Sequence, residues 1–223
     1  VITLNKKILL LGPPGTGKGT QAEMIIDKYL VKYISTGNMF RQEIKNNSDI
    51  GMQIKNYILN GQLVPDEVTN RLVNIYLNDD LLKQGFIMDG YPRTVEQAKF
   101  LDDCLNDNST KLDAIIFIDT PLDVILNRIT QRRCCTNCNA IYHLVTKPPK
   151  IEGYCDACNG ELVQRMDDKE DVVKTRLEVY GNSTSRLKDY YGNSDGFCIL
   201  DGTKSREEIF FDICNFLDNK RNS

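Results

Sequence analysis

Gly12-Pro-Pro-Gly-Thr-Gly-Lys-Gly-Thr20, standing directly after the apolar run Lys7-Ile-Leu-Leu-Leu11, is the stretch on which the fold turns. A short apolar run stopped by glycine and proline suits a strand buried on both faces, as in a parallel sheet. From Lys18 to Tyr29 the apolar Ala22, Ile25, Ile26 and Tyr29 fall at helical spacing. The order is therefore strand, glycine-rich loop, helix. The loop has the G-x-x-x-x-G-K spacing of a P-loop, whose backbone N–H groups wrap an anion. Gly15, Thr16, Gly17, Lys18, Gly19 and Thr20 are thus candidate phosphate-binding residues. Side chains at the glycines would block the backbone's approach, Lys18 can reach terminal phosphates, and the positive end of the following helix adds attraction.

Outward from this loop the strand signature recurs three times. Phe86-Ile-Met88 ends at Asp89-Gly90, Ala114-Ile-Ile-Phe-Ile118 at Asp119, and Phe197-Cys-Ile-Leu200 at Asp201-Gly202. Each run ends in an aspartate at what would be the carboxyl edge of a sheet, with helical stretches between. This predicts an α/β, doubly wound parallel sheet of the P-loop NTPase kind, with ligands at that edge. Two stretches interrupt the rhythm. Residues 35–64 carry helical patterns such as Met52, Ile54, Tyr57 and Ile58, and predict a small helical insertion. Residues 131–168 hold clustered cysteines and Pro148-Pro149 without long periodic runs, and predict a separate small lobe. The core is then 1–34, 65–130 and 169–223, with Asn219 to Ser223 expected to fray.

The whole chain has 223 residues, 41% hydrophobic and 26% charged, with a mean hydropathy of -0.37. That balance is expected of a soluble globular protein, not a disordered or membrane-embedded one. Lys and Arg number 28 against 31 Asp and Glu, a net charge of -3. There is no global electrostatic reason to bind nucleic acid or anionic lipid, so any phosphate chemistry is local. The first residues do not resemble a secretory signal, and a reducing, cytoplasmic setting is expected. In that setting clustered cysteines more often bind metal than form disulfides.

Five of the eight cysteines lie between 134 and 158. Cys135-x2-Cys138 and Cys155-x2-Cys158, separated by sixteen residues, match zinc-ribbon spacing. Four thiolates would complete a tetrahedron with no open position, so the metal is expected to be structural. Zinc is the default and iron an alternative in the same sulfur geometry. Cys134 breaks the count, since only the Cys135 register gives the x2 spacing. Cys104, Cys198 and Cys214, in apolar helix or strand contexts, are read as small core residues.

In this P-loop a second glycine, Gly19, follows the lysine, and the hydroxyl comes one place later at Thr20. Together with Asp89-Gly-Tyr-Pro-Arg93-Thr94, this resembles the nucleoside monophosphate kinases, and more specifically the adenylate kinases of long-lid type. Ser35-Thr-Gly-Asn-Met-Phe-Arg41, Gly61-Gln-Leu-Val64, Arg128 through Arg133, Gln164-Arg-Met-Asp-Asp168 and Asp201-Gly-Thr-Lys204 all stand in that family's order. The resemblance implies the reaction ATP + AMP ⇌ 2 ADP with Mg²⁺ on the nucleotide, a monomer, and a lid of the zinc-bearing version. It implies an AMP site at Thr36, Arg41, Gln62, Leu63, Val64, Gly90, Tyr91, Pro92, Arg93 and Gln97, with Gln97 reading the adenine edge. Gly15 to Thr20, Arg128, Arg132, Ile141, Tyr142 and Lys204 would surround ATP. Arg132, Arg165 and Arg176, with Lys18 and Arg93, would hold the migrating phosphoryl group, Arg165 and Arg176 also touching AMP. Asp89 would anchor waters around Mg²⁺. Asp167 and Asp168 would orient the lid arginines, the alternative being an exposed acidic turn.

No general base is needed, because the acceptor is already a phosphate anion; the resemblance places the single His143 beside the donor-binding residues, and it is read as structural. A sister kinase using another donor such as GTP is the near alternative. A nucleic-acid-binding NTPase is the distant one, since between Cys138 and Cys155 only Lys147 and Lys150 are cationic, with Glu152 opposing them.

Overall fold

The structure, a computed structural model, describes residues 5–219. Of the residues expected to fray, Asn219 to Ser223, Asn219 instead closes the last helix and 220–223 lie outside the described residues. In chain order the elements are β1 (Lys7–Leu11), α1 (Lys18–Tyr29), β2 (Lys32–Ser35), α2 (Thr36–Lys45), α3 (Asp49–Leu59), α4 (Asp66–Tyr76), α5 (Asp79–Gln84), β3 (Phe86–Asp89) and α6 (Val95–Asp107). There follow β4 (Ala114–Asp119), α7 (Leu122–Thr130), β5 (Arg132–Cys135), β6 (Ile141–His143), β7 (Leu162–Val163), α8 (Glu170–Asn182), α9 (Leu187–Tyr191), β8 (Phe197–Asp201) and α10 (Arg206–Asn219).

Five strands form a parallel sheet in the order β2-β3-β1-β4-β8. The four expected strands are present. The fifth, Lys32-Tyr-Ile-Ser35, has no counterpart in the sequence reading because it is short and begins with a lysine. Strand residues alternate between two apolar layers. Leu9, Leu11, Phe86, Met88, Ile115 and Phe117 face α6, α9 and the 36–76 helices. Ile8, Leu10, Ile87, Ile116 and Ile118 face α1 and α10. Burial on both faces is why these runs read as continuously hydrophobic.

The chain reverses strand order on either side of β1, so the loop after β1 opens into the crevice where the neighbouring connections diverge, the usual ligand position of such sheets. Gly12 sits there at φ 134°, and a Cβ at that position would lie 2.3 Å from the Ile118 carbonyl oxygen. Only glycine allows the chain to turn this close to β4.

Residues 36–59 form a tight helical pair. A Cβ on Gly51 would meet the Glu43 carbonyl at 2.1 Å, so glycine permits the close crossing of α2 and α3. Their apolar side chains have no separate core; Met39, Phe40 and Ile54 join the layer under the sheet. Within 131–168, β6-β5-β7 make a small antiparallel sheet. Its buried apolar cluster comprises only Cys135, Tyr142 and Cys155. Among the described residues no helix is long and apolar enough to cross a membrane.

Candidate active site

The P-loop delivers Lys18 to the first turn of α1. Its Nζ donates to the Gly12 and Pro13 carbonyls, at 2.8 Å each, so the side chain folds back over its own loop. Withdrawal from water pushes its ammonium down to about 8, against the pull of the Asp89 carboxylate; Arg93, Arg176 and Arg132 push the same way as burial. Gly17 caps α1 at φ 95° with nothing within 4 Å of where a Cβ would stand. The helix N-terminus therefore opens onto empty space lined by backbone donors, which suits an anion.

Across that space stand the arginines. Lys18, Arg41, Arg93, Arg165 and Arg176 line one cavity with Asp89. Burial lowers Arg41 and Arg176 to about 10, each further opposed by a neighbouring cation. Burial likewise lowers Arg93. Cations that are costly to charge where they stand would be relieved by a polyanion among them.

Two carboxylates organise this cluster. Asp168 is fully buried and takes both Arg132 Nε, at 2.8 Å, and Arg132 Nη2. It also accepts from Arg176 Nη1 at 3.4 Å. Asp167 pairs with Arg176 at 3.0 Å. Desolvation opposes charging Arg132, but the Asp168 carboxylate overcomes it and raises that guanidinium above its usual range. An exposed acidic turn is thereby ruled out. Asp168→Asn keeps the shape but leaves two largely buried cations short of their partner. Such losses cost about 3–5 kcal/mol, and a fall in urea midpoint relative to wild type measures it; an unchanged midpoint would refute the pairing's role.

Two further cavities flank the arginine space. One, of about 500 Å³, lies between the P-loop, β6 and residues 203–209 and is lined by Thr16, Arg128, Arg132, Ile141, Tyr142 and Lys204. Gly15, Gly17, Thr20 and Ile141 line both it and the arginine space. Arg128 is pinned there by donating to the Gly202 carbonyl at 2.7 Å. The other flanking cavity is lined by Gln62, Leu63, Val64 and Gln97, and shares Arg41, Gly90, Arg93 and Arg176 with the arginine space. The three spaces thus run in a line with the cations in the middle.

Some expected residues stand behind this line. Tyr91 is fully buried in the core, its hydroxyl donating to Asn70 Oδ1 at 2.7 Å. Thr36 Oγ1 donates to the Gly90 carbonyl at 2.8 Å and lines none of the three spaces, which leaves it shaping the Gly90 turn. Pro92 does line the arginine space. Tyr142 lines the large cavity while its hydroxyl reaches the Cys155 thiol.

The Sγ atoms of Cys135, Cys138, Cys155 and Cys158 all lie within 4.8 Å of one another. A tetrahedron with metal–sulfur bonds of about 2.3 Å has edges of roughly 3.8 Å. The Cys135–Cys158 and Cys138–Cys155 separations of 3.4 and 3.6 Å fit it, and are far too long for disulfides. The Tyr142 hydroxyl, 3.4 Å from Cys155 Sγ, holds that thiol down at about 6. Cys134 is buried but outside the cluster. Cys214 is buried in the core as expected, and Cys198 packs against it partly buried. Cys104 is only partly buried, on α6 beside Asn74.

Residues 10–196 match the profile of the family described as adenylate kinase. This chain belongs to the adenylate kinase family. It is 50% identical over 210 residues to the adenylate kinase of Clostridium tetani (strain Massachusetts / E88), covering 94% of this chain and 97% of that one. It is 47% identical to that of Clostridium novyi (strain NT), covering 95% and 98%. Against that of Clostridium perfringens (strain SM101 / Type A) the identity is 46%, again covering 95% and 98%.

Several residues of this candidate site have no counterpart in the sequence reading. Thr146, Lys147 and Arg206 line the large cavity, and so does His143, which the resemblance places beside the donor-binding residues. His143 Nδ1 accepts the Val145 and Thr146 N–H groups at 3.2 and 3.1 Å, so the imidazole does hold a turn, while also walling the cavity. Val179, Tyr180 and Thr184 reach the arginine space from α8 and the turn after it. Nothing in their local sequence carries a motif; the 3.6-residue spacing of 173, 176, 180 and 184 would have been the only hint.

Proposed function

We propose that ATP occupies the large cavity with its phosphates on Gly15 to Thr20, that AMP occupies the cavity beside Gln97, and that the phosphoryl group crosses between them among Lys18, Arg93, Arg132, Arg165 and Arg176. As an adenylate kinase the chain interconverts ATP + AMP and two ADP. The observation that carries the assignment is the line of three spaces with the cations central. Phosphoryl transfer asks for positioning and charge neutralisation more than covalent chemistry, and the arginine fork suits both. Thr16 Oγ1, buried without a partner beside the large cavity, gives a ligand there a donor. Residues 35–64 would act as the AMP-side clamp and 131–168 as the lid excluding water that would otherwise hydrolyse ATP.

Two metals fit this reading. The oxygen groups of Asp89 and Thr20 border the phosphate space and suit Mg²⁺, which keeps most of its waters. When bound with the nucleotide it would neutralise phosphate charge. The four cysteines suit structural Zn²⁺. Thiols kept for metal imply a reducing compartment, and we place the protein in the cytoplasm as a monomer.

The deciding experiment is an activity matrix of ATP and GTP against AMP, GMP and CMP. ATP with AMP is expected to exceed every other pair; a GTP preference would move the donor assignment to the sister kinases. A pH profile tests Lys18. The free ammonium releases its proton near pH 8, whereas bound phosphate would hold it charged. Affinity for ATP is therefore full below about pH 8 and weakens above it, by up to about tenfold per pH unit. A kcat/KM for ATP that stays flat from pH 7 to 9.5 would refute this.

A further inference from the structure

The Gln97 amide is 2% exposed and held from two sides. Its Oε1 accepts the Arg93 backbone N–H at 2.7 Å, and its Nε2 donates to Asp66 Oδ1 at 2.7 Å. Asp66 is itself fixed, because Thr94 Oγ1 donates to its Oδ2 at 2.8 Å while capping α6 through the Gln97 N–H. A backbone N–H can only donate and a carboxylate only accept, so these two partners dictate which end of the amide is oxygen. Turning the amide over would set an oxygen against a carboxylate and an NH₂ against an N–H.

An amide offers two lone pairs and two protons. One of each is used here, leaving one acceptor beside one donor. An adenine edge presents the complement, the N6 amino donor next to the N1 acceptor. Hypoxanthine presents the reverse, an O6 acceptor next to an N1–H donor. A glutamine free to turn would read either base equally well. We infer that Asp66, acting with the Arg93 backbone N–H, sets the base specificity of the acceptor site: by locking the Gln97 amide it makes the site accept a 6-amino purine monophosphate and refuse a 6-oxo one. This rests on the reading that AMP lies beside Gln97. Asp66 lines none of the three spaces, so it is a positioning residue acting through Gln97.

The test compares AMP with IMP as acceptor at saturating ATP in wild type, Asp66→Asn and Asp66→Glu. Asparagine keeps the size of Asp66 but can present a donor or an acceptor, which removes the carboxylate's half of the lock and leaves only the Arg93 N–H opposing a turned amide. The ratio of kcat/KM for AMP over IMP is expected to fall by about tenfold or more in Asp66→Asn, through the KM terms, and to be largely kept in Asp66→Glu. A purely structural role would weaken both acceptors alike, so a ratio within about twofold of wild type overturns the inference. Should the asparagine variant fail to fold, Asp66→Ala is expected to lower the ratio in the same way. Gln97→Ala separates the two levels. If it leaves the KM for AMP unchanged, the acceptor assignment itself falls; if it raises that KM while Asp66→Asn and Asp66→Ala keep the ratio, only the Asp66 inference falls.

Discussion

Lys18→Ala is expected to lower kcat by about 10³-fold or more, the scale of removing a preorganised charge from a transition state, while the melting temperature stays near that of wild type. Lys18 is the one cation in this space carried by the P-loop itself, and it can follow the phosphoryl group as that group moves. The arginines opposite are tied to other partners: Arg132 and Arg176 to Asp168, Arg93 Nε to the Gly90 carbonyl at 3.0 Å. These contacts limit how far Arg93, Arg132 and Arg176 can shift to replace it. Among the described residues Lys18 Nζ donates to two carbonyls of its own loop, so its loss removes little from the core. The measurement is a coupled assay in both directions, with a thermal melt as the control for folding. Activity within tenfold of wild type at unchanged melting temperature would overturn the placement of the reacting phosphates at the P-loop.

The sheet was legible in the sequence where burial is two-sided. Lys7–Leu11 and Ala114–Asp119 are unbroken apolar runs because helices cover both of their faces, and both came out at their expected positions. Lys32–Ser35 was not legible, since an edge strand needs only Ile34 and Ser35 buried and so carries almost no pattern. The same logic divides the site. Motifs mark residues whose spacing along the chain is the chemistry: the P-loop and the paired cysteines, whose geometry comes from tight local turns. The asparagine-rich stretch around α4 shows no such spacing, yet it supplies Asp66 to a glutamine thirty-one residues away. Tyr180 and Thr184 reach the site only because α8 and the turn after it end there, which no local pattern encodes.

Removing the metal is expected to release the 131–168 lobe without unfolding the sheet. The lobe's only buried apolar cluster is Cys135, Tyr142 and Cys155, two of which are also metal ligands. Such a core cannot offset the entropy of ordering nearly forty residues. Structural zinc sites contribute on the order of 10 kcal/mol or more in apparent binding free energy, which makes the metal the lobe's effective core. Freshly purified protein is expected to carry about one equivalent of zinc. Stripping it with a chelator, or making Cys155→Ser, should accelerate amide hydrogen exchange across 131–168 while the β1, β3 and β4 amides stay protected. The kinetic effect follows from which walls belong to the lobe. Arg132, Ile141, Tyr142 and His143 line the large cavity, whereas the Gln97 cavity takes no lining from it but Asp167. KM for ATP should therefore rise by at least about tenfold, the loss of a few cavity-wall contacts, with a much smaller change for AMP. Absence of bound metal in fresh protein would refute the proposal at its root. Equal increases in both KM values would show instead that the metal supports the whole site and not the ATP-side wall.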